Sequence, residues 1–540
     1  MKNSKLLIII LVIIVIIVAI FFITRKPPVP APVPVAPITL YYNLGAEPPT
    51  LDPTLASDTT SVDVIEQLFV GLTDYDHETM EVIPELATSW EVSDDGLTWT
   101  FQLRKDVKWT DGKPVTAHDI EYAVKRTLDP ANASDYGYVL YVIKGAEEVN
   151  SGKVKDLDYI GVKAIDDYTV QFALNQPAGY FPSIAGMWVA RPIPRWTIEK
   201  YGDKWTDPEN IVTNGSYLLK EWKHEDEIIL EKNPDYYEAD NTQIELIHAY
   251  CIVEDSTAMA MYEEGKLDTQ AAPLEDLDRI KADPVLSKEL FIAPQLCTYY
   301  YAFNNTKPPM DNPLVRKAFS AAIDRQSLID NITKGEQIPA TTFTCPGIFG
   351  HVLPSEGVGI GFDPEAARKY LADAGYPEGK GLPEITLMFN TSEGHRKIAQ
   401  AIQQMWKEHL GVEVNLTNQE WGVYLQSTLE DPPHIFRFGW CADYADANNW
   451  LLEVFHSTIS PNRPKWKNEE YDKACEDAAK SSDPAERLAL YKRAEEIMCE
   501  EEAAIAPIYF YTFVQMTKPY LTRTYAPLGG EHFRDWRINK

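Results

Sequence analysis

The sequence predicts an α/β protein of several lobes carried behind one membrane-spanning helix. Two patterns point there. From residue 38 onward, short runs with apolar residues at every second position alternate with longer runs that repeat at helical spacing. This β-α-β rhythm builds α/β lobes and neither a sandwich nor a bundle. Ahead of them, residues 6–23 (LLIIILVIIVIIVAIFFI) are apolar without interruption. They make about 27 Å of helix, close to the hydrocarbon thickness of a bilayer. The 540 residues leave room for about three or four domains.

The first run is expected to be an uncleaved anchor. A cleaved signal has a shorter apolar core and ends in small residues. Here Ala19 is the only small residue of the run, and no Cys stands after it to accept a lipid. Lys2 and Lys5 precede the run and Arg25 and Lys26 follow it, so charge alone does not orient it. The size of the following domain places that domain on the extracytoplasmic side. Next comes KPPVPAPVPVAP, with Pro at 27, 28, 30, 32, 34 and 37. Such a run favours polyproline II, a semi-rigid stalk of about 30 Å.

In LTWTFQLRKDVKW, the residues Leu97, Trp99, Phe101 and Leu103 fall on one face of a strand. TDG turns the chain, and TAHDIEYAVKRTL opens a helix with Thr116 and Asp119 spaced as a capping box. Ile120, Ala123, Val124 and Leu128 form its inner stripe. DPEAARKYLADAGY (363–376) is a helix with Pro364 at its start and Gly375 past its end. ITLMFN (385–390) is a strand. HRKIAQAIQQMWKEHLG is a helix with Ile398, Ile402, Met405, Trp406 and Leu410 inward, and VEVNL is a strand again. GVGIGF (357–362) reads as a loop, and two helices, about 467–480 and 484–502, are separated by SSDPAE. No repeat of solenoid length is present.

Composition excludes several functions. The net charge of −31 is spread along the chain, which argues against nucleic acid, because phosphate binding needs a basic face. Six Cys include no C-x-x-C pair, and ten His show no ligand spacing, so no zinc knuckle, redox dithiol, metal site or cofactor is expected. P-loop, H-E-x-x-H and G-x-S-x-G motifs are absent. No catalytic residue is indicated. Carboxylates are so numerous that a surface hydrolase using a carboxylate pair stays open as an alternative.

Several stretches carry a family likeness: GAEPPTLDP (45–53), LTWTFQLRKDVKWTDGKPVTAHDIEYAVKR (97–126), LCTYYYAFNN (296–305), DNPLVRKAFSAAIDR (311–325), DPEAARKYLADAGY and RFGWCADY (437–444). They resemble the extracytoplasmic solute-binding proteins of ABC importers, in particular the oligopeptide-binding branch of the oligopeptide and dipeptide family. The resemblance implies a two-lobed periplasmic-binding-protein fold of type II, with an extra α/β domain on lobe one. Behind the anchor (1–26) and stalk (27–37) read from the residues themselves, the resemblance gives lobe I at 38–70, 190–296 and 508–540. The extra domain is 71–189 and lobe II is 297–507, with the hinge near 296 and 507. Binding then means closure around the ligand. The partners implied are a peptide and the subunits of a permease, and the protein is expected to be a monomer. Another solute, such as an oligosaccharide or a metal chelate, is the alternative within the fold.

The resemblance also implies a site. A peptide backbone lies as an added strand between segments 57–59, with Ser57 and Thr59, and 439–441, with Gly439, Trp440 and Cys441. Asp443 pairs with its α-ammonium; the alternative is a loop or cap Asp. Arg437 meets its carboxylate; the alternative is a structural salt bridge, because an Arg inside an apolar strand needs a partner. His395 matches a residue that meets peptide termini, or else faces solvent in a first helical turn. Trp421 and Trp440 match pocket aromatics, or else are core. Cys297 and Cys441 match a disulfide pair, or else are two reduced buried thiols. Cys475 and Cys499 are offset across their helical pair and are not expected to bridge. Besides lacking the family's lipid-bearing Cys, the chain departs from the family pattern at three positions. Thr428 stands where a second Arg is expected, Ser57 where an acid is, and Thr333, beside Lys334, where a Lys is.

Overall fold

The computed structural model describes residues 2–24 and 36–540. Residues 1–37 and 38–540 form two separate compact units. In the first, Lys2–Thr24 is one helix whose apolar side chains from Leu6 to Phe21 are exposed. It is long and apolar enough to cross a membrane, spanning about 34 Å at 1.5 Å per residue. Arg25, Lys26 and nearly all of the expected stalk, residues 25–35, lie outside the described residues.

The second unit is α/β, as its sequence rhythm predicts. Its main sheet has eleven strands. Across the sheet the first five are Val414–Gln419, Ile385–Asn390, Ile435–Cys441, Leu290–Phe303 and Ile505–Thr517. Then follow Thr269–Ala271, Thr39–Asn43, Leu246–Tyr250, Glu227–Lys232 and Tyr217–Lys223. The short Ile338–Pro339 strand pairs beside Ile505–Thr517. A separate four-stranded sheet is built from Ala87–Val92, Thr98–Leu103, Thr169–Ala173 and Val162–Asp166.

Two long strands hold the main sheet together. Leu290–Phe303 and Ile505–Thr517 run antiparallel along most of their length. Their register shifts twice, between Pro294 and Thr298 and between Tyr299 and Tyr300. The Tyr-rich stretch 299–301 is buried on both faces, as a central strand should be. On one face Tyr299 and Tyr301 pack with Ile398, Ile402, Trp406 and Leu410 of the Glu393–Leu410 helix. On the other, Tyr300 packs with Phe343, Trp450 and Phe455. Met405 is half-buried at the margin of the first core.

The local signals act as chemistry requires. Asp119 accepts the Thr116 N–H (2.8 Å) and starts the Ala117–Leu128 helix with its expected buried stripe. Trp99, Phe101 and Leu103 fill one face of the smaller sheet. Residues 357–362 are a loop. The last helical pair is Glu469–Lys480 and Pro484–Glu496, the second running on through a π-helical turn over 497–501.

Candidate functional site

The strand Ile435–Cys441 organises a cavity of about 710 Å³. On one side it pairs with Leu290–Phe303 along its whole length, placing Cys297 opposite Cys441. On the other, Ile385–Asn390 pairs only with Ile435 and Phe436. The backbone edge from Arg437 to Cys441 therefore has no strand partner there among the described residues, and it lines the cavity. Cys297 and Cys441 form a disulfide, while Cys251, Cys345, Cys475 and Cys499 are free. The two reduced thiols considered from the sequence are thus replaced by a bridge that ties the edge to its neighbour.

Asp443 lies just beyond the strand and faces the cavity. Its Oδ2 accepts hydrogen bonds from the Tyr136 hydroxyl and Asn449 Nδ2, both at 2.8 Å. No cation pairs with it among the described residues. Burial pushes its carboxyl up to about 6, against these two hydrogen bonds. Asp446, three residues on, is the helix cap instead. Asn449 is held in turn by Glu453, whose buried carboxyl rises to about 8 chiefly through desolvation.

At the other end of the edge stands Arg437. No carboxylate reaches it among the described residues, so the structural salt bridge considered from the sequence does not form. NH1 donates to Asn390 Oδ1 (3.1 Å), NH2 to the Tyr511 hydroxyl, and the guanidinium lies 4.7 Å from the Tyr299 ring centroid. Nε has no partner. The aromatic and amide surroundings accommodate the cation without neutralising it. His395 is in the first turn of the Glu393–Leu410 helix. It faces the cavity rather than solvent, with Nδ1 3.4 Å from the Tyr299 hydroxyl. Burial, reinforced by Arg437, drives its pKa far below the usual range, so the ring is neutral.

Gly439 sits where a Cβ would come within 3.3 Å of both the Arg437 guanidinium and the Tyr511 hydroxyl. Trp440 is half-buried and stacks on Tyr136, with centroids 6.2 Å apart. Trp421 begins the Trp421–Glu430 helix and donates to Asp58 Oδ1 (3.1 Å). Both Trp rings line the cavity while packing, half-buried, against the core beneath it. Segment 57–59 also lines it, but Thr59 is not extended: it is the first residue of the Thr59–Leu68 helix, capped by Asp58. The S-D-T-T-S run is a cap signal, and it overrides the flanking-strand geometry expected at Thr59.

Two of the departures resolve differently. Thr428 is buried, and Arg463 donates to its Oγ1 (2.8 Å). A guanidinium thus stands behind Phe438, outside the cavity lining. Thr333 is buried against Gln337, and Lys334 turns to Asp278; of this group only Gln337 lines the cavity. Tyr136, Asn449 and Gln337 escaped the sequence reading. The one signal available was the Asn-Asn pair in ADANNW, polar residues inside an otherwise apolar turn.

A main sheet joined by two crossing strands, with a cavity walled by residues from distant parts of the chain, defines a solute-binding protein of the type II periplasmic-binding fold. The chain belongs to family 5 of the bacterial extracellular solute-binding proteins, whose model (Bacterial extracellular solute-binding proteins, family 5 Middle) matches residues 81–462. It is 39% identical over 509 residues to the oligopeptide-binding protein OppA of Bacillus subtilis, covering 92% of each. It superposes on Haemophilus influenzae OppA in complex with RPPGFSPFR with a TM-score of 0.86, at 33% identity, covering 94% of this chain and 100% of that one. With the Escherichia coli murein tripeptide binding protein MppA the TM-score is 0.88, at 33% identity, covering 94% and 99%. Against the unliganded open form of MppA it falls to 0.65, at the same identity and covering 93% and 98%. The chain thus superposes better on the Haemophilus complex than on the open form of MppA.

Proposed function

We propose that this protein binds peptides between two closing lobes and hands them to an ABC importer, without catalysing their turnover. One observation carries the reading. A carboxylate without a cation, Asp443, and a guanidinium without a carboxylate, Arg437, stand at the two ends of one unpaired strand edge in one cavity. Burying two opposite charges unpaired is costly. A ligand with an ammonium at one end and a carboxylate at the other relieves both. Its main chain pairs along 439–441, which gives affinity without reading side chains. His395 donates to the carboxylate end, and Trp421 and Trp440 flank the ligand. The relatives named for oligopeptide binding support the same ligand class. A neutral oligosaccharide leaves both charges unmatched.

The moving parts are lobe I (38–70, 190–296 and 508–540) with the extra domain 71–189, against lobe II (297–507). The crossing strands bend between Pro294 and Thr298, where their register shifts. The Lys2–Thr24 helix anchors the chain in the membrane as a monomer with its lobes outside. Native mass spectrometry of the full chain released from detergent tests the ligand class. A ladder of mixed peptides is expected on a single copy of the chain. A single sugar or metal complex overturns the ligand, and hydrolysed product accumulating from added peptides overturns the absence of catalysis.

A further inference from the structure

The cavity that holds Asp443 is also lined by a group of residues to which the peptide termini have not been assigned. They centre on one face of the Thr59–Leu68 helix. Thr59, Val62, Asp63 and Glu66 all line the cavity, at the three- and four-residue spacing of one helical stripe. Facing them are Tyr42, Asp74, Glu531 and Phe533. The acids here are numerous, and most are already matched. Glu66 pairs with Arg191 (2.5 Å), and His532 stands 3.9 Å from it. Glu531 pairs with Arg523 through both oxygens (2.8 and 2.9 Å). Asp74 pairs with Arg534 (2.7 Å) and His532 (3.0 Å). Asp58 is the helix cap and also accepts the Trp421 indole N–H.

Asp63 is the exception. Its side chain is exposed to the cavity, and among the described residues no donor or cation reaches its carboxylate. Opposite it, and within its electrostatic reach, is Tyr42. That ring is only 8% exposed and lines the same cavity, yet its hydroxyl has no hydrogen-bond partner. Phe533 lies beside it, ring centroids 5.0 Å apart. The bay therefore offers an unmatched carboxylate and aromatic walls, with the unpartnered Tyr42 hydroxyl buried behind them. That is the complement of a long side chain with an apolar stem and a cationic head. We propose that this bay takes the Lys or Arg side chain of a bound peptide, with the Asp63 carboxylate as its partner and the Tyr42 and Phe533 rings along its stem.

The electrostatics agree. Desolvation first, then Glu531, Glu66 and Asp58, push the Asp63 carboxyl up to about 8, with Arg523 pulling the other way. At neutral pH the group is mostly protonated until a cation arrives, and the cation then favours its ionised form. Binding a basic side chain thus expels a proton from Asp63. The preference for such a side chain strengthens as pH rises through about 8.

The inference rests on the peptide-binding reading, and the experiment separates the two. The full chain in detergent is titrated calorimetrically with tri- to penta-alanine peptides. Each carries one Lys, or its neutral isostere norleucine, at each position in turn. At the favoured position the wild type should bind the Lys peptide ~10-fold or more tightly than the norleucine peptide, as charge pairing in a desolvated site allows. That ratio should grow with pH, and the Lys peptide should release more protons than the norleucine peptide, read in buffers of different ionisation enthalpy. Asp63→Asn keeps the shape, should leave norleucine binding unchanged, and should abolish the ratio, its pH dependence and the extra proton release. Asp63→Lys should turn the preference towards a Glu peptide. If peptides bind but Lys and norleucine are equivalent in the wild type, or the ratio survives in Asp63→Asn, the subsite is overturned and the peptide reading stands. If no peptide binds a folded wild type, both fall.

Discussion

At the scale of single residues, the candidate site is a carboxylate and a guanidinium that are hydrogen-bonded but have no opposite charge among the described residues. Asp443→Ala should weaken the binding of a good peptide by about 2–5 kcal/mol, the usual loss when one member of a buried pair is stripped away. Equal affinities in calorimetry would remove Asp443 from the site. The raised pKa of Asp443 adds a sign. The folded protein holds this proton more tightly than the unfolded chain does. Its contribution to stability therefore becomes less favourable as pH rises from the ordinary carboxyl range to about 6. Asp443→Asn, which cannot ionise, should accordingly weaken peptide binding and remove its rise with pH. Wild-type peptide affinity should climb between pH 5 and pH 7, because only the carboxylate pairs with an ammonium; ~1.4 kcal/mol per pH unit is the ceiling for one such group. Arg437→Gln should erase the preference for a free C-terminal carboxylate over an amide. Retention of that preference would move the carboxylate site elsewhere.

At the scale of elements, the disulfide joins two adjacent strands and closes a loop with a sequence separation of 144 residues. Replacing both Cys297 and Cys441 by Ala should lower stability by up to ~4–5 kcal/mol in the chain-entropy account, read as a shift in the thermal melt. Intact mass after alkylation without reductant should show four labelled thiols at most. The elements themselves were largely legible. Period-two patterning located Thr98–Leu103, the Thr116 and Asp119 pair located its helix, and Pro364 with Gly375 bracketed another. What escaped was context. Thr59 carries no signal that distinguishes the first turn of a helix from an extended edge, apart from the cap residue Asp58 before it. The absence of a carboxylate near Arg437 depends on Asn390 and Tyr511, which reach it from strands 47 and 74 residues away in sequence. Tyr136 reaches Asp443 across 307 residues, a separation that no local pattern encodes. The likeness to a family could carry Asp443 and the disulfide onto this chain. It could not carry the bay at Asp63.

At the scale of the whole molecule, the cavity is walled by the helix at 59–68, by Tyr136 and by the edge at 437–441, so it exists only when these parts meet. Peptide addition should compact the protein, and small-angle scattering should register a smaller radius of gyration. An unchanged radius at saturating peptide would contradict closure. The crossing strands bear on how that motion is distributed. Leu290–Phe303 and Ile505–Thr517 stay paired on both sides of a register break between Pro294 and Thr298. A ladder already interrupted at one place can flex there without rupturing the bonds that flank it. The protein can then breathe many times without approaching unfolding. Amide hydrogens at residues 295–297 should exchange with solvent through small, frequent openings, while those of residues 301–303, beyond the second break at Tyr299 and Tyr300, exchange only when the whole sheet comes apart.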